Sequence, residues 1–181
     1  MNCVCNVAGR NWRKLGGLDL EADKTTPIPD GYNSVTPYLV VDDAAKAIEF
    51  YKQAFGAEEK FRMPMGDRIG HAELKIGDSF VMLADEFPSM DHLGPKSRGG
   101  TTVSLLLYVN DVDSSYKTAI DAGAKQLRPI ENQFWGDRMG SLTDPFGHQW
   151  SLATHVEDVS EDEMERRMQA FSAQQKEAEP A

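Results

Sequence analysis

The sequence predicts an α+β fold built from two βαβββ modules that form a curved mixed sheet around one small-molecule cavity. Three observations carry this reading. The order strand, helix, strand, strand, strand in the first half recurs in the second. Both strand-to-helix junctions read alike, Val41-Asp42-Asp43 and Val109-Asn110-Asp111, and both helices run into Gly-Ala, at Gly56-Ala57 and Gly123-Ala124. Self-similarity of this kind marks an internal duplication.

Residues 1–31 show no sustained period and end in Thr-Thr-Pro-Ile-Pro-Asp-Gly, a cluster of turn residues. They are expected to form an irregular arm whose removal up to Pro29 changes stability little. The domain proper is expected over 32–156, with modules at 35–85 and 101–155. In the first module Val35 to Val41 reads as a strand. Ala47, Ile48, Tyr51 and Phe55 then recur at helical spacing over 44–55, and Gly56 stops the helix. Strands follow at 59–63, 71–76 and 80–84. The segment 86–100, rich in Pro, Gly and Ser, reads as a linker or lid. The second module has a strand at 102–109, a helix at 111–122 and strands at 125–130, 139–143 and 148–154. Asp144-Pro145-Phe146-Gly147 makes the turn before the last strand. Over 157–181, Ser160-Glu161-Asp162-Glu163 is a capping box that opens a charged terminal helix. This helix either clasps a dimer or rests on its own domain through Met164, Met168 and Phe171.

Composition narrows the partners. A net charge of −10 opposes a phosphate backbone, since nucleic-acid affinity comes chiefly from Lys and Arg. No apolar run approaches the roughly 20 residues that span a bilayer. Met1 to Gly17 lacks the unbroken apolar segment of a signal peptide, and Cys3 and Cys5, the only cysteines, cannot staple the fold. A cytoplasmic protein with neither nucleic-acid nor membrane partner is the expectation, and a homodimer is its expected assembly.

The motifs then suggest a family. Pro37 to Asp43 followed by Ala47-Ile48-Glu49-Phe50-Tyr51-Lys52-Gln53-Ala54-Phe55-Gly56-Ala57, Phe134-Trp135-Gly136-Asp137-Arg138, and the run Asp144 to His155 together resemble the vicinal-oxygen-chelate superfamily, within it the PhnB-like group. Glyoxalase I, bleomycin-resistance proteins and extradiol dioxygenases share that fold. In its metal-using members four ligands come from the first and last strands of the modules. The resemblance places those positions on Thr36, Met82, Ser104 and Ser151, none of which is His, Glu, Asp or Cys. Hydroxyls and a thioether are poor ligands for zinc, nickel or ferrous iron. No metal and no cofactor is therefore predicted.

Strand alternation sorts the cavity lining. Thr36, Tyr38 and Val40 face inward from the first strand, and Phe80, Met82 and Ala84 from the last strand of that module. Ser104, Leu106 and Tyr108, with Gln149, Ser151 and Ala153, do so in the second module. Tyr38, Phe80, Met82, Ser104, Tyr108, Gln149 and Ser151 are accordingly candidate ligand contacts. Trp135 is a candidate stacking residue, unless it closes the barrel mouth. Arg138 is a candidate fork for an anionic group, unless Asp137 and Arg138 only fix their loop.

His71, Glu73 and Lys75 share one strand face. Glu73 is a candidate general base with His71 tuning it, or else this face is the sheet's wet side. A metal held by His71 and Glu73 lacks a third ligand. Asp137 is the other candidate acid or base. His148 reads as structural or exposed, His92 as solvated, and Phe61, Met63 and Met65 as a stripe that is either core or ligand platform.

Three functions remain open. The first is a metal-free protein that binds a small, partly apolar ligand, as bleomycin-resistance proteins do. The second is a metal-free isomerase, epimerase or lyase using Glu73 or Asp137. The third is a glyoxalase- or dioxygenase-type metalloenzyme with non-standard ligands. A protein partner for the acidic terminal helix is a further possibility.

Overall fold

The computed structural model describes residues 25–178, with side chains through residue 173; Cys3, Cys5 and the arm through residue 24 lie outside the described residues. In the first module β1 (Tyr38–Val41) leads into α1 (Ala44–Phe55), then β2 (Glu58–Met65), β3 (Arg68–Ile76) and β4 (Ser79–Asp85). The Asp43 carboxylate accepts the Lys46 amide at 3.0 Å and so caps α1. Gly56 ends the helix at φ 65°, a left-handed conformation that costs glycine nothing.

After a 3₁₀ turn at Pro88–Met90 and the short α2 (Pro95–Arg98), the second module repeats the order. It runs through β5 (Ser104–Tyr108), α3 (Val112–Asp121), β6 (Lys125–Asn132), β7 (Asp137–Thr143) and β8 (Gln149–His155). Asp111 caps α3 as Asp43 caps α1, accepting the Ser114 amide at 3.1 Å. The terminal helix α4 spans Glu161–Ala178, and Ser160 Oγ accepts the Glu163 amide at its start.

Each module makes one four-stranded sheet, in the orders β1-β4-β3-β2 and β5-β8-β7-β6. The first and last strands of a module run parallel and the other neighbours antiparallel. The registers confirm the duplication. Setting Asp43 on Asp111 sets Tyr38 on Leu106; Tyr38 pairs with Met82, and Leu106 with Ser151. Met82 and Ser151 are thus equivalent, as the sequence alignment requires. One strand further in, Glu73 pairs with Met82 and Ser141 with Ser151, so Glu73 and Ser141 are equivalent too.

The helices form the middle of the molecule. α1 and α3 touch each other, and each also packs on the sheet of its own module. Alternation sends Leu39, Val41, Leu74 and Leu83 from the first sheet, and Leu142, Trp150 and Leu152 from the second, into one continuous core with Ile48 and Tyr51 of α1. Polar ties fix the two modules together. Tyr51 donates to buried Asp144 at 2.7 Å, and His148 Nε2 lies 3.0 Å from the Val40 carbonyl oxygen.

Within one chain the two sheets do not close around a common cavity. The faces with Tyr38 and Met82 on one sheet, and Leu106 and Ser151 on the other, are those turned away from the helices. Leu106 and Tyr108 are more than half exposed. The segment 86–100 is also more than a linker, because Glu86 accepts from the Gly94 amide (2.7 Å) and from Ser97 Oγ (2.9 Å) and folds it back on β1. A side chain at Gly94 would place Cβ 2.5 Å from the Val40 carbonyl oxygen, so only glycine permits this approach. At the other end, α4 rests on the domain through Phe171, whose ring is 5.2 Å from that of Phe134, and through an Arg167–Glu157 ion pair.

Candidate functional site

A cavity of about 790 Å³ lies over the outer face of the first sheet. Its floor is β1, β3 and β4, which present Tyr38, His71, Glu73 and Met82; Met63 and Met65 of β2 form one wall. Phe87, Met90 and His92 of the segment after β4 form another, so His92 belongs to the wall rather than to a solvated linker. The third wall is Pro27 to Asn33, where the last residues of the expected loose arm, 1–31, run into the domain. The Pro29 to Tyr32 turn lays the Tyr32 ring on Phe80, centroids 4.1 Å apart and planes within 13°, and so holds Pro27 to Pro29 at the cavity's edge.

A chain of hydrogen bonds crosses the floor. Tyr32 Oη donates to Glu73 Oε2, His71 Nε2 lies 3.2 Å from Glu73 Oε1, and Tyr38 Oη lies 3.1 Å from His71 Nδ1. One tautomer satisfies every link: Nε2–H donates to Glu73 and Nδ1 accepts from Tyr38. Glu73 is only 7% exposed. The neighbouring carboxylate and burial together raise the Tyr32 hydroxyl well above the ordinary tyrosine value, burial being the larger cause. The face of His71 and Glu73 is therefore a cavity floor, not a wet sheet surface.

The remaining candidates are elsewhere. Phe80 lies beneath Tyr32 instead of in the open lining. Ser104, Tyr108, Gln149 and Ser151 sit on the bare face of the second sheet, where Ser151 Oγ and Ser141 Oγ are 2.9 Å apart. Arg138 is turned to the helix side. Its fork is taken by Asp113 of α3, at 2.8 and 2.7 Å, and it also donates to Asn132, so it does not face the cavity. The parity of β7 explains this, since Arg138 shares a face with buried Leu142 and not with Ser141.

Asp137 lies at the end of the second sheet and is a hub rather than a free base. Its carboxylate accepts from Tyr108 Oη (2.9 Å), Trp135 Nε1 (3.1 Å) and His155 Nδ1 (2.9 Å). Burial pushes its pKa up, but these donors outweigh burial and hold it below the ordinary value. Trp135, tied to Asp137 and edge-on to Phe134, is a structural corner of this loop. The loop can turn there because Gly136 (φ 98°) leaves room for the Glu157 carbonyl oxygen, 2.1 Å from where a Cβ would stand.

Sequence reasoning missed Tyr32 altogether. The one available signal was an aromatic residue directly after a Pro-Asp-Gly turn and six residues before a strand, which is a weak pattern.

Residues 31–152 match the model of the Glyoxalase/Bleomycin resistance protein/Dioxygenase superfamily, and the chain belongs to that superfamily. An uncharacterized protein of Mycobacterium tuberculosis is 46% identical over 139 residues, which cover 75% of this chain and 82% of that protein. Among solved structures, TioX from Micromonospora sp. ML1 aligns with TM-score 0.55 at 27% identity over 67% of this chain and 98% of its own. An Arabidopsis thaliana gene product aligns with TM-score 0.56 at 29% identity, with the same 67% and 98% coverage.

Metal-using members of the superfamily draw ligands from positions that fall here on Thr36, Met82, Ser104 and Ser151. These do not fit a divalent ion: three hydroxyls and a thioether offer neither anionic charge nor imidazole. They are also divided two and two between the modules, with Thr36 just ahead of β1. Among the described residues no cluster of three or more His, Cys, Asp or Glu side chains is placed to hold a metal. Among the same residues no helix is long and apolar enough to cross a membrane.

Proposed function

We propose that the protein binds a small, largely apolar molecule over its first sheet, without metal. The observation that carries this reading is the cavity of about 790 Å³ itself, within the size range of small-molecule sites. Its walls are thioethers and rings, and most of the polar floor is one short strip, Tyr38-His71-Glu73. Methionine side chains reshape to fit varied apolar ligands, and the polar strip orients them.

The bare second sheet supports a homodimer. In that assembly the partner copy would lay its Leu106 and Tyr108 face over the open side of the cavity. The test is calorimetric titration with a panel of planar aromatic molecules, with Met82→Asp as control. Saturable binding that the variant loses supports the reading, and no binding across the panel opposes it. Sedimentation of the same samples reads the dimer.

A second reading is favoured by the Tyr32–Glu73–His71–Tyr38 chain, which could move a proton to or from a bound ligand, as an isomerase, epimerase or lyase requires. Exchange of a ligand carbon-bound proton with deuterated solvent, lost in Glu73→Gln, would reveal it. Asp137 is a poor candidate for that role, because three donors already occupy it.

A further inference from the structure

We infer that the ligand of this cavity is an organic cation, a flat apolar body whose protonated nitrogen sits at Glu73. The inference rests on the small-molecule reading above and adds the sign of the ligand's charge.

The fold itself does not call for a carboxylate at this place. The equivalent position in the second sheet is Ser141, which satisfies itself with Ser151 across one pair of strands. Burying a carboxylate costs free energy unless charge or hydrogen bonds compensate it. The first module accepts that cost where the second does not, and it does so in the floor of a cavity.

Among the described residues no lysine or arginine lines the cavity, and Glu73 is the one carboxylate that does. The nearby cations are committed or screened off. Arg68 donates to the Glu86 carbonyl oxygen and lies over the Phe87 ring, while Lys75 stands opposite Glu58 of β2 and does not line the cavity. An anionic ligand would therefore meet a buried carboxylate with no lysine or arginine among the described residues to receive its own charge. A cationic one would find acceptor capacity, because among the described residues each Glu73 oxygen takes one side-chain donor and has a second lone pair. Tyr38 adds a π face that attracts cations. The chain's charge of −10 draws cations toward the surface at low salt.

The experiment uses the full chain and three probes of one shape. These are 9-aminoacridine, a cation at neutral pH, acridine, which is neutral there, and acridine-9-carboxylate, an anion. Calorimetry should rank them cation, neutral, anion, with the cation favoured over the neutral ring by roughly ten- to a hundredfold, as charge-assisted hydrogen bonding implies. Glu73→Gln should bring cation and neutral ring within about twofold while keeping the neutral affinity. Glu73→Ser, which copies the residue of the second sheet, should do the same and guards against a folding defect peculiar to the amide. If the neutral ring binds as tightly as the cation, or if both variants keep the preference, the cation inference falls and the binding reading stands. If none of the three binds, both fall.

Discussion

The hydroxyl of Tyr51, on the helix of the first module, lies 2.7 Å from the carboxylate of Asp144, in the turn before the last strand of the second. Asp144 is 4% exposed and also accepts from Trp150 Nε1 (3.0 Å) and from the amides of Phe146 and His148 (2.9 Å each). Four donors thus stabilise one buried carboxylate, and the repeat is joined at its centre by a charged hydrogen bond. Burial and Asp144 together push the Tyr51 hydroxyl far above the ordinary tyrosine value.

Tyr51→Phe keeps the ring and removes this donor. The loss should be about 1.5–3 kcal/mol, the range for a hydrogen bond to a charged group. For a chain of this size that is a fall in midpoint temperature of roughly 3–12 °C. An unchanged midpoint would show that the modules do not depend on this bond.

Tyr32 invites two substitutions. Tyr32→Phe keeps the stack on Phe80 and frees Glu73 Oε2, whereas Tyr32→Ala removes both. The alanine variant should melt lower than the phenylalanine one by the worth of a stacked pair, about 0.5–1.5 kcal/mol. Equal midpoints would mean that Pro27 to Asn33 does not pack on the sheet as described.

The repeat was legible in the sequence because its signals are local: Asp43 and Asp111 as caps, Gly56 at a helix end, and strands of strict alternation. Inward and outward faces followed from parity alone, and Glu73 fell where alternation put it. What the sequence could not show is which faces meet. Parity says that Tyr38 and Leu106 both turn away from the helices, but not that the helices lie between the two sheets. Arg138 was misplaced because the loop reading ignored that β7 begins at Asp137, which makes Arg138 a helix-side residue. Tyr32 was missed because its contacts to Phe80 and Glu73 are distant in the chain and no periodicity encodes them.

His155 offers a pH test. Its ring sits between Asp158 and Asp137, each 2.9 Å away, and these two carboxylates raise its pKa above the ordinary 6.5. A raised folded-state value means that the stabilisation is present in full below the unfolded value and is lost as pH rises through the folded one. Asp137 works in the opposite sense: its lowered value gives a contribution present above the unfolded carboxylate range and lost as pH falls through the folded value. The contact is therefore strongest between the two. Proton-detected titration of the histidine rings should find one ring with a midpoint above 6.5 that Asp137→Asn lowers. A His155 midpoint at or below 6.5 would remove the pair.

The last prediction joins metal chemistry to assembly. Protein prepared without chelators should carry well under one equivalent of zinc, nickel, cobalt, iron or manganese, because Thr36, Met82, Ser104 and Ser151 offer no anionic or imidazole ligand. A variant with Thr36→His, Met82→Glu, Ser104→His and Ser151→Glu restores the ligand types of the superfamily. Within one chain these four positions are divided two and two between the modules, whose sheets lie on opposite sides of the helix layer, so a monomer would present two half-sites. A dimer that lays the second sheet of one copy over the first sheet of its partner would bring four ligands together. The quadruple variant should therefore bind a divalent ion in proportion to its dimer fraction, and an engineered monomer of it should bind only weakly. Equal affinity in monomer and dimer would show that the two faces meet without a partner, and a stoichiometric metal in the unmodified protein would overturn the metal-free reading and direct attention to His71 and Glu73.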